Sequence, residues 1–309
     1  MILGAVLLLL GLPVALAVTE AVWFHRRNRS SGTISSSGQT REYVLYVPQS
    51  YERTKATPLV ISMHGAGSWG AAQREISQWN QVAESQGVIV VYPSGAAGSG
   101  PRIWHVRDDG PGLSRDVKFI SELIDTLQAS YNIDRARIYA DGLSAGGGMA
   151  FVLSCTLSHR IAAVGMVAAA RLLPWSWCRD SQPVPMIAFH GTADRQVPYR
   201  GGTYWMSDGR FPDVPTWVAN WARRNRCAPS PVDSVVAPDV MRRAYTNCAA
   251  DAAVVLYTVV GGGHTWPGGT PLPQWFAGST SNGVNATSQM WAFFRAHPLP
   301  EAHTAAQRR

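Results

Sequence analysis

The pattern of apolar and polar positions divides most of the chain into short strands and helices that alternate. Continuous apolar runs occur at 58–63, 88–92, 163–168, 184–189 and 253–260. Runs of this kind, bounded by turn residues, are typical of strands that are buried on both faces of a parallel sheet. Residues 41–48 alternate between apolar and polar instead, which indicates an outer antiparallel strand.

Helical periodicity appears between these predicted strands. The clearest helix is predicted over 116–131, where Val117, Ile120 and Ile124 fall on one face. Further helices are predicted at 71–86, 211–224 and 285–297. Strands that alternate with helices through short turns indicate an α/β chain, with a mostly parallel, doubly wound sheet and helices on both faces.

A serine in a G-x-S-x-G pentapeptide follows one more predicted strand, at 137–140. Gly142, Ser144 and Gly146 stand between that strand and a run of small residues that begins a helix. A nucleophile elbow requires this strand–turn–helix context, because the serine must project from a tight turn at the end of the sheet. Ser144 is therefore the candidate nucleophile.

Two downstream residues complete a candidate catalytic triad, and each follows its own apolar strand. Asp194 ends an HGTAD segment, and His264 ends a GGGH segment. The order Ser, Asp, His is that of the α/β-hydrolase triad, in which the imidazole takes the serine proton and the carboxylate orients the imidazole. Asp208 and Asp213 are alternatives for the acidic member.

Backbone donors for an oxyanion are predicted at two places. Ala145 follows the nucleophile, and Gly65 and Ala66 follow the strand that ends at Met63. Hydrolases of this type take one donor from each of these positions, and the glycine lets the backbone approach the substrate closely.

Three tryptophans are candidates for a substrate pocket. Trp266 follows His264 almost directly, and Trp69 and Trp104 lie on loops after predicted strands, where such folds bind ligands. Core packing is the alternative for all three side chains.

Composition and charge narrow the class of protein. The chain has 309 residues, of which 46% are hydrophobic and 15% charged, which suits one large core. The net charge is +7, but the basic residues are scattered and form no stripe with aromatic residues. We therefore expect no nucleic-acid partner. We expect a monomer that acts on a small or oligomeric ester without a cofactor.

The four cysteines bear on metal binding and on location. Cys155, Cys178, Cys227 and Cys248 form no C-x-x-C pair, so no metal site is predicted. Four cysteines allow three pairings. Cys227 lies in a polar stretch, which is more typical of a bridged cysteine than of a buried thiol. Because disulfides form in oxidising compartments, we expect export to the periplasm or the extracellular space.

The ends of the chain differ from its centre. Residues 1–24 are almost wholly apolar and are predicted to be a signal peptide or a membrane anchor. Basic residues follow this segment and none precedes it, so a retained anchor would place the remainder in the cytoplasm. The cysteines favour a cleaved signal peptide, and membrane contact is expected only through this segment if it is not cleaved. Residues 25–39 are predicted as a flexible linker, 40–298 as the catalytic domain and 299–309 as a polar tail.

Five groups of segments together resemble the polyhydroxybutyrate depolymerase family of esterases, which also contains feruloyl and acetylxylan esterases. The matching segments are 43–48, 63–65, 141–147, 190–194 with 197–199, and 263–268. The resemblance implies the α/β-hydrolase fold, a triad of Ser144, Asp194 and His264, and no cofactor. It also implies bridges between Cys155 and Cys178 and between Cys227 and Cys248.

The function expected from these observations is an exported serine carboxylesterase that forms an acyl-enzyme on Ser144. Its ester would be of the hydroxyalkanoate oligomer, feruloyl or acetyl class. A serine peptidase and a non-catalytic binding protein on the same fold are the alternatives. No further domain follows His297 in the sequence, so we expect soluble short-chain or aryl esters to be preferred over insoluble polyester.

Overall fold

Ten strands of the computed structural model form one twisted sheet. The structure describes residues 30–96, 102–107, 110–170, 173, 175–178, 182–203 and 210–300. The strands of the large sheet are β1 Gly32–Ser36, β2 Gln39–Tyr46, β3 Thr57–Met63, β4 Ile89–Pro93, β5 Ile133–Leu143, β6 Ala163–Val167, β7 Met186–Gly191, β10 Val232–Ala237, β11 Val240–Tyr245 and β12 Val254–Val259. Two short strands, β8 Gly202–Thr203 and β9 Arg210–Phe211, form a separate ribbon.

The strand order is β1-β2-β4-β3-β5-β6-β7-β12-β11-β10. The six central strands, from β4 to β12, pair in parallel. An antiparallel hairpin extends each edge of this parallel block. Because parallel strands point the same way, the loops after β3, β5, β7 and β12 all leave the sheet at its carboxyl edge, where folds of this kind bind ligands.

The helices that connect the strands cover both faces of the sheet. They are α1 Gly70–Ser77, α2 Trp79–Gln86, α3 Pro111–Ser130, α4 Ala145–Thr156, α5 Val214–Arg224, α6 Gln274–Ala277 and α7 Ala286–Arg295, with short 3₁₀ turns at Trp175–Trp177 and Ala249–Asp251. Side chains of α3, α4 and α5 pack on one face, with Phe119, Phe151 and Trp221 fully buried. Those of α1, α2 and α7 pack on the other face. The predicted doubly wound α/β sheet is thus confirmed.

Two predicted segments differ from the structure. The helix predicted over 71–86 is two helices, because Gln78 adopts a left-handed conformation with φ 56° and its N–H caps α1 at the carbonyl of Arg74. The linker predicted over 25–39 contains β1, which pairs with β2 so that Gly32 lies opposite Tyr43. Edge pairing orders this stretch despite its polar composition, so the prediction of a flexible linker is wrong for the strand.

Both disulfides implied by the family resemblance are present. Cys155 in α4 is bonded to Cys178, and Cys227 after α5 is bonded to Cys248. Within the residues that the structure describes, no helix is long and apolar enough to cross a membrane. The predicted signal peptide or anchor, residues 1–24, lies outside the described ranges, as do residues 301–309 of the predicted tail.

Candidate active site

Ser144 occupies a strained turn between β5 and α4. Its φ of 55° and ψ of −117° lie in a region that residues with a side chain rarely adopt. The N–H of Ser144 donates to the carbonyl of Val167 at the end of β6, at 2.8 Å. The turn therefore holds the side chain at the carboxyl edge of the sheet, as a nucleophile elbow requires.

The glycines of the pentapeptide are required by close backbone contacts. A Cβ atom on Gly146 would lie 2.1 Å from the carbonyl oxygen of Met63, and one on Gly142 would lie 2.3 Å from the carbonyl carbon of Gly146. These contacts let α4 begin directly against the end of β3. The G-x-S-x-G spacing thus has a steric cause in this fold.

Asp194 and His264 form a buried hydrogen-bonded pair. Oδ2 of Asp194 lies 2.8 Å from Nδ1 of His264, and the two residues are only 5% and 4% exposed. Oδ1 of Asp194 accepts the backbone N–H groups of Gln196 and Val197, at 2.8 and 2.9 Å. Both carboxylate oxygens are thereby held, and the carboxylate has one orientation toward the imidazole.

The protonation state of this pair follows from its surroundings. Burial by itself raises the pKa of Asp194, but the ring of His264 and the N–H of Val197 outweigh this effect and hold the pKa below its usual value. An ionised carboxylate can only accept, so the proton lies on Nδ1 of His264. In the neutral imidazole this tautomer leaves Nε2 as the nitrogen that can take a proton.

The loops after β7 and β12 are joined by backbone contacts. Ala193 N–H donates to the carbonyl of Gly262 at 2.9 Å, and Gly261 N–H donates to Oγ1 of Thr192 at 2.9 Å. A Cβ atom on Gly191 would lie 2.1 Å from the carbonyl oxygen of Gly262. Glycine at these positions allows the two loops to approach, which brings Asp194 to His264.

His190 is a part of the site that sequence reasoning did not single out. Its Nε2 lies 2.8 Å from the carbonyl of Val197 and 3.5 Å from Oδ2 of Asp194. Burial lowers the pKa of His190, so the ring is neutral and donates to that carbonyl. The ring of His190 fixes the turn that carries Asp194. Its place at the start of the HGTAD segment is the sequence feature that could have indicated this role.

The predicted oxyanion donors lie next to the elbow. A Cβ atom on Gly65 would be 3.5 Å from Cβ of Ser144, so the loop after β3 contacts the nucleophile. Ala145 is the first residue of α4, where a backbone N–H has no partner within the helix. Gly67 N–H donates to the carbonyl of Arg102, which makes it a structural donor of this loop.

His64 holds the loop after β3 in place. Its Nδ1 lies 2.6 Å from the carbonyl of Gly65, and its Nε2 accepts the N–H of Gly95 at 2.8 Å. The carbonyl of His64 accepts Nε1–H of Trp104 at 3.1 Å. Burial lowers the pKa of His64 to about 4, so the ring is neutral near pH 7.

Two of the three tryptophans predicted to line the pocket belong to the core instead. Trp266 is 1% exposed and donates to Oγ1 of Thr287 in α7, at 2.9 Å. Trp104 is 3% exposed and binds the carbonyl of His64. Those two predictions are wrong, because α7 packs over Trp266 and the loop at 102–107 places the side chain of Trp104 in the core. Trp69 is half-buried at the start of α1, and its role in the pocket stays a prediction.

A cavity of about 450 Å³ is formed by the loops that follow β6 and β7, together with α5. Its aromatic lining residues are Trp175, Phe211 and Trp217. Trp175 and Trp217 pack against each other and against Phe151 of α4, two turns after Ser144. The positions of these aromatic residues in the sequence do not show that they line a cavity while Trp104 and Trp266 lie in the core.

The alternative acid Asp213 has a structural role outside the candidate triad. Asp213 caps α5, where it accepts the N–H of Thr216 at 3.0 Å, and it does not contact His264. Asp208 lies outside the described residues. In the described part of the chain, no group of three or more His, Cys, Asp or Glu side chains could hold a metal ion.

Comparison with known proteins shows a similarity to esterases. Residues 41–172 match the family described as esterase PHB depolymerase. The chain is 31% identical over 232 residues to feruloyl esterase B of Piromyces equi, which covers 72% of this chain and 42% of that protein. It is 29% identical over 279 residues to the putative esterase NocK of Nocardia uniformis, which covers 84% of this chain and 81% of that one.

A solved structure supports the same fold for this chain. The acetyl xylan esterase from Aspergillus awamori aligns with a TM-score of 0.59 over 76% of this chain and 93% of that one, at 15% sequence identity. The predicted α/β-hydrolase fold is thereby confirmed. The chain spans 42% of the length of the feruloyl esterase that it matches.

Proposed function

We propose that this protein is a serine carboxylesterase that acts through an acyl-enzyme on Ser144. The observation that carries this proposal is the buried pair of Asp194 and His264, 2.8 Å apart, at the sheet edge where Ser144 occupies a strained elbow. A hydroxyl is a weak nucleophile until an oriented base takes its proton, and this pair is such a base.

The proposed reaction has two halves. Oγ of Ser144 attacks the ester carbonyl while Nε2 of His264 takes the hydroxyl proton, and the proton passes to the leaving alkoxide as the C–O bond breaks. The alcohol leaves and the acyl group stays on Ser144. Water then attacks the acyl carbon and gives a proton to Nε2 of His264. The bond between the acyl carbon and Oγ of Ser144 breaks, the serine oxygen takes that proton, and the carboxylic acid leaves.

Backbone donors would stabilise the tetrahedral oxyanion in both halves. Ala145 N–H at the start of α4 is one donor, and Ala66 N–H is the other, with Gly65 N–H as the alternative. The proximity of Gly65 to Ser144 supports this assignment, since a Cβ atom there would lie 3.5 Å from Cβ of Ser144.

The substrate class and the cellular location are proposed from separate observations. The relatives named above as feruloyl esterase and acetyl xylan esterase favour an aryl or acetyl ester over a peptide. The two disulfides favour export, because such bridges persist in oxidising compartments.

Hydrolysis of p-nitrophenyl acetate and methyl ferulate tests the proposal, with an aminoacyl p-nitroanilide as the amide control. We expect ester turnover, and we expect Ser144→Ala, His264→Ala and the double variant each to lose about 10⁶-fold in kcat, because residues that act as a unit are not additive. Mass spectrometry after reaction with a fluorophosphonate should find the label on Ser144. Turnover by Ser144→Ala above one tenth of the parent rate would refute the mechanism.

A further inference from the structure

The loop between β12 and α7 exposes two aromatic side chains beside the candidate triad. Trp275 is 87% exposed and Phe276 is 50% exposed, and their ring centroids lie 5.8 Å apart at an interplanar angle of 63°. No other aromatic side chain in the ranges that the structure describes is exposed to this degree. We call Trp275 and Phe276 the aromatic rim.

The aromatic rim is fixed to the loops that carry the triad. The N–H of His264 donates to the carbonyl of Ala277 at 2.6 Å, and Nε2–H of Gln196 donates to the carbonyl of Phe276 at 3.2 Å. His264 is the candidate base, and Gln196 lies two residues after Asp194. The rim is therefore attached to the loops of both Asp194 and His264. Phe276 is adjacent in sequence to Ala277, whose carbonyl accepts the N–H of His264.

Close packing holds this attachment. A Cβ atom on Gly263 would lie 2.1 Å from the carbonyl oxygen of Ala277, and Gly263 N–H donates to the carbonyl of Ser279 at 2.9 Å. Ala277 itself is only 4% exposed. The backbone under the rim is thus buried while both rings face solvent. Exposed aromatic rings on a rigid support mark an interaction site more often than a fold requirement.

The chemistry around the rim selects its occupant. Residues 268–294 include no charged side chain, and exposed amides and hydroxyls, those of Gln274, Ser279 and Asn282, surround the rings in sequence. Arg195 is exposed beside Gln196, but an anionic polymer or an anionic lipid surface would require a cluster of basic residues. A neutral sugar ring fits instead, because its C–H face stacks on an indole while its hydroxyls bind amides and hydroxyls.

We infer that the aromatic rim is a subsite that binds the neutral saccharide part of an esterified polysaccharide. The inference rests on the proposed esterase function, which it deepens. Trp275 supplies the surface on which the sugar ring stacks, Phe276 limits the position of that sugar ring, and the ester group lies at Ser144. Trp275 and Phe276 are accordingly positioning residues, which act on substrate binding and leave the chemical step unchanged.

Kinetics on two substrates test the subsite. On acetylated xylan oligosaccharides, Trp275→Ala should raise KM about tenfold with kcat within twofold of the parent, which is the effect of removing one well-placed aromatic anchor. Turnover of p-nitrophenyl acetate, which has no sugar, should stay within twofold. Trp275→Tyr keeps a stacking ring and should recover most of the loss. Met241→Ala, which truncates an exposed apolar side chain on β11, is the matched control and should change neither substrate.

A binding measurement separates this inference from the proposed function. Titration with unesterified xylohexaose should change the tryptophan fluorescence of the parent protein and leave that of Trp275→Ala unchanged. If the parent does not hydrolyse p-nitrophenyl acetate, the proposed function fails, while the fluorescence titration still decides the subsite.

Several results would overturn the subsite. Equal losses on both ester substrates would mean that the rim supports the catalytic loops. No loss on either substrate would mean that the rim has no role in substrate binding. A loss confined to the clearing of hydroxybutyrate granules would assign the rim to a polyester surface. A xylohexaose signal that persists in Trp275→Ala would place the saccharide elsewhere.

Discussion

Asp194 Oδ2 and His264 Nδ1 lie 2.8 Å apart, in a contact that is almost completely closed to solvent. Because the other carboxylate oxygen accepts two backbone N–H groups, the pair has a single geometry. A buried carboxylate fixed in this way can hold the imidazole in one tautomer and stabilise the imidazolium that forms during acyl transfer. The acidic member of the triad is therefore the first position to test.

Asp194→Asn should lower kcat on p-nitrophenyl acetate by about 10⁴-fold, since the amide favours the wrong imidazole tautomer while keeping the geometry. Asp213→Asn is the matched control, because asparagine also caps a helix and the Asp213 carboxylate binds Thr216 of α5 and Arg200. Its kcat should equal that of the parent. Loss of activity in the control, with activity kept in Asp194→Asn, would move the acidic role to Asp213.

Backbone strain at Ser144 predicts a stability difference between two inactive variants. Alanine keeps a side chain at φ 55° and ψ −117°, whereas glycine adopts this conformation without strain. Ser144→Gly should therefore have a free energy of unfolding about 1 kcal/mol higher than that of Ser144→Ala, and it should unfold at a higher denaturant concentration. Urea unfolding followed by circular dichroism gives both values. Equal midpoints would show that the elbow is not strained.

His64 predicts a coupled loss of rate and stability. His64→Ala removes the acceptor for Gly95 N–H and the donor to the carbonyl of Gly65, so we expect a cost of about 1–3 kcal/mol in unfolding free energy. Displacement of the loop by about 1 Å should lower kcat about 10²-fold with a smaller effect on KM. His297→Ala, a half-buried histidine at the end of α7, is the control. A His64→Ala variant that loses stability but keeps the parent kcat would show that the position of this loop does not affect catalysis.

The central strands and the candidate triad could be predicted from the sequence because local patterns encode them. Buried parallel strands are continuous apolar runs, and Ser144 carries its glycines at fixed spacing because Met63 and the backbone of α4 leave no room for a Cβ atom. The edge hairpin of β10 and β11 was missed. β10 is largely exposed and β11 is only partly buried, so neither shows an apolar run. β11 is ordered by pairing with β12, and β10 by pairing with β11.

The roles of the tryptophans could not be predicted, since a position in the sequence does not fix the direction of a side chain. Trp266 lies two residues from His264 and yet points into the core, toward Thr287. Trp275, farther along the chain, reaches the surface because the carbonyl of Ala277 returns to bind the N–H of His264. That contact joins two loops, and no local pattern indicates it.

The disulfides predict a measurable contribution to stability. Each closes a loop between cysteines that lie 23 or 21 positions apart, and such loops contribute about 3 kcal/mol apiece by restricting the unfolded chain. Replacing both cysteines of either pair by serine should lower the melting temperature by about 6–12 °C. Thiol titration should find no free cysteine in protein isolated from its native compartment. Four reactive thiols there would contradict both the bridges and the proposed export.

The buried carboxyl group of Asp141 makes a contribution to stability that falls as the pH rises from about 4 to about 8. Its carboxyl group is fully buried on β5 beneath α1 and accepts Oγ–H of Ser62 at 2.6 Å. Burial raises the pKa of Asp141 to about 8, against 3.8 in the unfolded chain. Between these values the folded protein binds a proton that the unfolded chain has lost, so the free energy of unfolding declines by up to about 1.4 kcal/mol per pH unit.

Asp141→Asn should remove this slope, because asparagine keeps an acceptor for Ser62 and never ionises. Its urea midpoint should resemble that of the parent near pH 4 and exceed it above pH 8, where the parent must carry a buried charge. Asp125→Asn, at an exposed carboxylate beside Arg160, controls for the loss of one negative charge and should keep the parent slope. Equal slopes in the parent and in Asp141→Asn between pH 4 and 8 would show that Asp141 is ionised in the folded protein.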